Sequence, residues 1–202
     1  MQIQRVIVAT ANAGKFREIG YILDSLPFKL ACLADFPEIG PLEEHGETFE
    51  ENALAKARTA ARETGLVALA DDSGLVVDAL DGAPGVYSAR YAGPDADDAS
   101  NNARLLKEMA SVRGEARSAR FECVACLCTP GGKHEFFHGQ CRGRILEAPR
   151  GSGGFGYDPL FFVPELDRTF AELPPDVKNR ISHRAKAFAK AKERLPFYLK
   201  NR

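Results

Sequence analysis

The sequence predicts an α/β protein built on a mixed β-sheet flanked by helices. Three observations predict it. The apolar run Arg5 to Ala9 leads through a loop of small residues into a helix with Phe16, Ile19, Leu23 and Leu26 near one face. A helix from Thr48 to about Thr64, stopped by Gly65, feeds a second apolar run, Leu66 to Ala70. The extended runs Ala119 to Thr129 and Glu135 to Arg144 flank Pro130-Gly131-Gly132-Lys133, a hairpin turn that adds an antiparallel section.

The 202 residues are enough for one domain, or two closely packed lobes, with an ample core. The 45% hydrophobic and 27% charged content is that of an ordinary globular protein. A net charge of −1 gives no reason to expect a nucleic-acid or membrane-surface partner. No signal peptide is expected, and no apolar run approaches the roughly 20 residues of a membrane span. A cytoplasmic protein is therefore expected. Cys123, Cys126 and Cys128 fall in one strand-like run, where alternation puts Cys126 and Cys128 on one face and Cys123 on the other. Without a second cysteine pair or a histidine cluster to complete a zinc site, buried reduced thiols are expected. No linker or internal repeat divides the chain, so residues 1–202 read as a single domain.

Taken in order, the first strand enters Thr10-Ala11-Asn12-Ala13-Gly14-Lys15. A strand, a small-residue loop and a helix start form either a phosphate cradle or a plain β–α connection. Lys15 is poorly placed for the helix dipole, which calls for an anionic partner. The loop is not a Walker A motif, because Gly-x-x-x-x-Gly-Lys-Ser/Thr is missing and Phe16 follows the lysine. Phe28 to Leu33 reads as a strand and Ala34 to Glu47, with Glu43-Glu44, as a loop. Thr48-Phe49-Glu50-Glu51 fits a capping box, and the helix after it carries Asn52 and Lys56 on one face. Lys56 there is either a phosphate-facing cation or a solvated helix lysine.

Asp71-Asp72-Ser73-Gly74 follows the second apolar run and reads as a strand end and turn before Leu75-Val76-Val77. Adjacent acids repel, so they need water, a cation or a basic neighbour. The pair is either a solvated turn or a divalent-metal site that orients water. Leu80 to Asp95 is a long Gly/Pro-rich loop, and Asp97, Asp98 and Ser100 offer caps for a helix through Met109. Gly151-Ser152-Gly153-Gly154-Phe155-Gly156-Tyr157-Asp158-Pro159 contains Gly-x-Gly-x-x-Gly, yet no strand leads tightly in and Pro159 stands where a helix should begin. Its glycines suggest close backbone approach to a ligand, with Phe155 free to stack on a base. Ser152 is not in a Gly-x-Ser-x-Gly elbow. His183-Arg184 beside Ser182 sets donors at the start of an Ala/Lys-rich helix, whose Lys186, Lys190 and Lys192 read as a solvated face.

Six motifs together resemble the inosine/xanthosine triphosphate pyrophosphatase family, the RdgB-type enzymes. They are Thr10 to Lys15, Phe49-Glu50-Glu51-Asn52-Ala53, Ala70 to Leu75, Gly82 to Arg90, Gly153 to Pro159 and Ser182-His183-Arg184. The resemblance implies an elongated mixed sheet, two lobes with a nucleotide cleft between them, a homodimer, and Mg2+-dependent conversion of ITP, dITP or XTP to monophosphate and pyrophosphate. It implies Asp72 as proton acceptor and metal ligand, Glu43 as second metal ligand, and Lys56 leaning toward the phosphates. Thr10, Ala11, Asn12, Ala13, Gly14, Lys15 and Ser73 would surround the triphosphate. Phe155, Gly156, Tyr157, Asp158, Lys178, His183 and Arg184 would hold the nucleoside. Ala11 stands where the family usually has glycine; alanine costs about 1 kcal/mol if the position needs φ > 0, and nothing if it needs only a small side chain. A nucleotide sensor without turnover and a phosphatase releasing orthophosphate are the readings from other classes.

Overall fold

The computed structural model describes residues 4–24 and 27–200. Among the described residues, seven strands and five α-helices follow in the order β1 (Gln4–Val8), α1 (Ala13–Leu23), β2 (Phe28–Cys32), α2 (Phe49–Thr64), β3 (Val67–Val77), α3 (Asp98–Glu108), β4 (Ser118–Cys128), β5 (His134–Ile145), β6 (Phe161–Val163), β7 (Arg168–Thr169), α4 (Pro175–Ile181) and α5 (His183–Lys200). The sheet order is β2-β1-β3-β4-β5-β6-β7. β1 runs parallel to β2 and β3, whereas β6 is antiparallel to β5 and β7, so the sheet is mixed as the sequence predicts. None of the described helices is long and apolar enough to cross a membrane.

The chain divides into two compact units, 1–72 with 123–139 and 183–202, and 73–122 with 140–182. In the first, β1, β3 and β4 bury Val6, Val8, Val67, Leu69, Cys123, Ala125 and Leu127 against Ile19 and Leu23 of α1 and Phe188 of α5. Leu26, expected on the α1 face, lies outside the described residues. Lys192 departs from the solvated face expected of it: its Nζ donates to the carbonyls of Ile22 (3.0 Å) and Asp24 (2.7 Å), capping the exit of α1. In the second unit, Leu75 and Val77 of β3 pack with Leu105 and Met109, and Phe121, Phe161 and Phe170 form an aromatic cluster.

Helix caps follow their sequence signals. Thr48 accepts the Glu51 N–H at 3.2 Å, but the expected capping box is incomplete, because the Glu51 carboxylate takes the N–H of Glu47 at 2.7 Å instead. Asp97 and Ser100 do form a reciprocal box at the start of α3. α4 opens with Pro175 in its first turn and ends at Ser182, one residue before α5 begins. The expected turn at Asp72-Ser73-Gly74 is absent: β3 runs unbroken through it. Four of the five cysteines are buried, Cys32 is half-buried, and all are free thiols.

Candidate active site

The first unit gathers its charged side chains where β1 meets α1 and β3 faces α2. Strand alternation sends Asp71 and Asp72 to opposite faces, which separates two acids that would repel in a turn. Each finds its own cations. Asp71, on the inward side, accepts from Arg184 Nε (3.3 Å) and Nη2 (3.1 Å), and Lys15 Nζ lies 3.4 Å away. Arg184 also donates through Nη1 to Glu18 of α1. Asp72 accepts from Asn52 Nδ2 at 2.9 Å, and Lys56 Nζ stands 3.7 Å from its second oxygen. Lys56, only 6% exposed, is hydrogen-bonded to the Glu44 carboxylate and is no solvated helix lysine.

These surroundings drive the neighbouring acids apart. Burial raises both carboxyls; at Asp71 the charges of Lys15 and Arg184 overcome it and hold the group far below its ordinary value. At Asp72 burial prevails over Lys56 and Lys15, and the group stands above its ordinary value. Burial likewise opposes the charge of Lys56, but Asp72 and Asp71 outweigh it and raise its pKa. Glu44 resists burial through Lys56 and stays lowered. The two neighbours are thus pushed in opposite directions, Asp71 toward its charged form and Asp72 toward its protonated one.

The phosphate loop is shaped by its own side chains. Asn12 caps α1 by accepting the Lys15 N–H at 2.9 Å, and Thr10 Oγ1 accepts the Asn12 N–H at 3.1 Å. The first turn of α1 carries a lysine and no acid, which leaves its dipole open to an anion. Ala11, Asn12 and Ala13 are exposed, and Gly14 is half-buried. Among the described non-glycine residues only Asp81 and Asp167 have positive φ, so Ala11 incurs no backbone penalty.

Glu43, expected as the second metal ligand, is exposed with its carboxylate 3.3 Å from His45 Nε2, while the adjacent Glu44 turns to Lys56. The Gly46 N–H, bound at 2.8 Å to Asn52 Oδ1, holds this loop against α2. A Cβ on Gly46 would stand 2.6 Å from Glu51 Cβ and 2.8 Å from Asn52 Oδ1. Asn52, Glu44 and Glu18 are site residues the sequence reading did not select. The Asn52–Lys56 spacing is the available signal for the first and the adjacent Glu43-Glu44 pair for the second; Glu18, a single acid in a helix, offers none.

Three cations here, Lys15, Lys56 and Arg184, face four carboxylates, Glu18, Glu44, Asp71 and Asp72. A polyanionic ligand entering this cluster needs added positive charge. Asp72 and the Glu43-Glu44 pair offer the hard oxygen donors that magnesium takes, and magnesium is commonly held by one or two carboxylates together with substrate phosphates. The residues present fit that ion. Among the described residues no group of three or more His, Cys, Asp and Glu side chains is placed to hold a metal by itself.

In the second unit, Asp158 organises the glycine loop. Its Oδ2 accepts the Phe155 N–H at 3.0 Å and pairs with buried Lys178 of α4. Lys178 Nζ lies 4.9 Å from the centre of the half-buried Phe155 ring, a cation–π arrangement. Gly154 has φ +75°, and a side chain there would collide with the Asp158 carboxylate. The glycines expected to admit a ligand therefore also admit this internal carboxylate. Gly156 donates to Asp98 at 2.6 Å and accepts from Asn102 at 2.9 Å. Tyr157 is buried and donates to the Ser88 carbonyl at 2.9 Å. Tyr157 and Asp158 thus hold the loop's shape, and Phe155 is the more exposed of the loop's two aromatic side chains. Ser73 is half-buried in β3, and His183 is buried at the first position of α5 in the first unit. Arg184, grouped with the nucleoside residues in the sequence reading, is bonded to Asp71 and Glu18.

Comparison with known proteins gives the family of the chain. The profile of the Ham1 family matches residues 6–194. The chain belongs to the Ham1 family. A dITP/XTP pyrophosphatase of Geobacter sulfurreducens is 61% identical to it over 191 residues, 95% of this chain and 96% of that one. A Listeria monocytogenes protein of the same name is 52% identical over 193 residues, covering 96% and 95% of the two chains. The structure of a HAM1 protein from Coxiella burnetii superposes with a TM-score of 0.87 at 43% identity, covering 96% of this chain and all of that one (100%).

Proposed function

We infer that this chain hydrolyses non-standard purine nucleoside triphosphates, ITP, dITP and XTP, to the monophosphate and pyrophosphate, clearing them from the nucleotide pool. The names of its Geobacter and Listeria relatives support the substrate class. The observation that carries the chemistry is the geometry of the Asp-Asp pair: Asp71 bound by Arg184 with Lys15 3.4 Å away, and Asp72 held by Asn52 with Lys56 3.7 Å away.

The residues act as follows. Lys15 and the open end of α1 receive phosphate oxygens, with Thr10 to Gly14 as the backbone around them and Ser73 as an added donor. Asp72 holds and deprotonates the water that attacks the α-phosphorus, the bond to the β-phosphate oxygen breaks, and pyrophosphate departs. Lys56 offsets charge on the leaving group. Mg2+, held by Asp72 with an acid of the Glu43-Glu44 pair, would supply charge neutralisation and polarise the phosphates. Phe155 and Lys178 take the nucleoside, with Tyr157, Asp158 and Gly156 setting their positions. His183 is assigned to base recognition. A donor aimed at the 6-oxo group of hypoxanthine or xanthine faces an amino group in adenine, a mismatch that costs about 1–3 kcal/mol when buried. We read residues 1–202 as one catalytic domain acting as a cytoplasmic homodimer, on the strength of the family resemblance.

The test is product identity. With Mg2+, dITP should give dIMP and pyrophosphate in equal amounts, whereas dIDP with orthophosphate would identify a phosphatase instead. Asp72→Asn should retain nucleotide in calorimetry and lose about 10²–10⁴-fold in turnover, the usual worth of a positioned base. Binding without turnover by the native protein would establish a sensor.

A further inference from the structure

We propose that Asn52 is a positioning residue for this hydrolysis, a single amide that sets the Asp72 carboxylate and the Glu43–Gly46 loop in register with each other. The inference rests on the pyrophosphatase reading. Asn52 is 1% exposed, on the buried face of α2 one turn before Lys56. Its two amide atoms have separate duties. The Gly46 N–H can only donate, so the atom facing it at 2.8 Å is the carbonyl oxygen, and the NH₂ group faces Asp72 Oδ2 at 2.9 Å. The orientation of the amide is therefore dictated by its partners.

The consequence lies in what each bond fixes. One holds an oxygen of the acid that handles the attacking water. The other anchors the backbone two residues after Glu44, whose carboxylate meets Asp72 at the same lysine, Lys56. A side chain that only filled space in the core would need neither polar atom. Gly46 belongs to the same device, since a methyl group there would stand 2.8 Å from the Asn52 oxygen. The loop can reach the amide only because that position has no side chain.

Two variants separate positioning from simple packing. Asn52→Asp keeps the volume and the acceptor for Gly46 but removes the donor to Asp72 and sets an acid against it. Gly46→Ala keeps both polar groups of the amide and crowds it from the other side, since a Cβ there lies 2.8 Å from the Asn52 oxygen. Steady-state pyrophosphate release from dITP should show kcat reduced about 100-fold in the first and about 10-fold in the second, because ångström-scale misplacement of a reacting group costs that much. KM, and the calorimetric affinity for the α,β-methylene analogue of dITP, should stay within about 3-fold of native, the pattern of an interaction realised only in the transition state. Native kcat in both variants overturns the proposal. So does a loss of analogue affinity and thermal stability in step with kcat, which would mark Asn52 as structural. A native protein that releases no pyrophosphate fails at the underlying reading, an outcome visible before either variant is made.

Discussion

At the scale of single residues, chemistry here depends on two neighbours in β3 that differ only in their surroundings. Asp71 lies against Arg184 and Lys15, whereas Asp72 accepts from the Asn52 amide and has Lys56 Nζ 3.7 Å away. Arg184 is the keystone of the first arrangement, since it joins Asp71 to Glu18 with hardly any water contact. Arg184→Met removes the cation from buried Asp71 and half-buried Glu18, which should cost about 3–5 kcal/mol in urea unfolding. A change below about 1 kcal/mol would contradict that role, because it is the range of an exposed pair. The Asp-Asp pair was legible from the sequence, as was the need for an anion beside Lys15. That Asp71 is this anion was not, because it lies far along the chain from Lys15 and no local pattern links them.

At the scale of elements, caps and periodicity carried the reading of α1, α2 and α3, and the hairpin composition that of β4 and β5. The error at Asp71-Asp72-Ser73-Gly74 has a clear origin. Such residues favour turns through local hydrogen bonds, but their side chains here are claimed by distant partners, and the backbone stays in the strand. The glycines of the 151–159 loop suggest close approach of a ligand to the backbone. What approaches at Gly154 is the loop's own Asp158. Gly154→Ala combines positive φ with that collision, so the Asp158–Lys178 pair must loosen. The expected result is a rise of about tenfold or more in KM for dITP, corresponding to at least about 1.4 kcal/mol of lost binding, with kcat changed much less. Unchanged KM would show that this loop does not contact substrate.

At the scale of the whole molecule, acid sensitivity follows from the buried ions. Asp71 and Glu44 have pKa values lowered in the folded protein, so their stabilisation is complete above the ordinary carboxylate range and is lost as pH falls through the folded values. Asp72, raised on folding, contributes in the opposite sense and offsets part of the loss. Denaturant midpoints should therefore hold between pH 7 and 5 and drop below about pH 4, where free carboxylates protonate. A flat profile to pH 3 would refute the assignment. Both compact units are assembled from separated stretches of chain, which a linear scan for linkers could not reveal. The buried thiols noted in the fold have a practical corollary. Burial pushes Cys126 up to about 12 and Cys123 further, and only Cys32 is part-exposed. Ellman's reagent should therefore titrate at most one sulfhydryl per native chain and all five once guanidinium has melted it. The protein thus carries its own chromogenic gauge of unfolding, readable without any label or engineered probe.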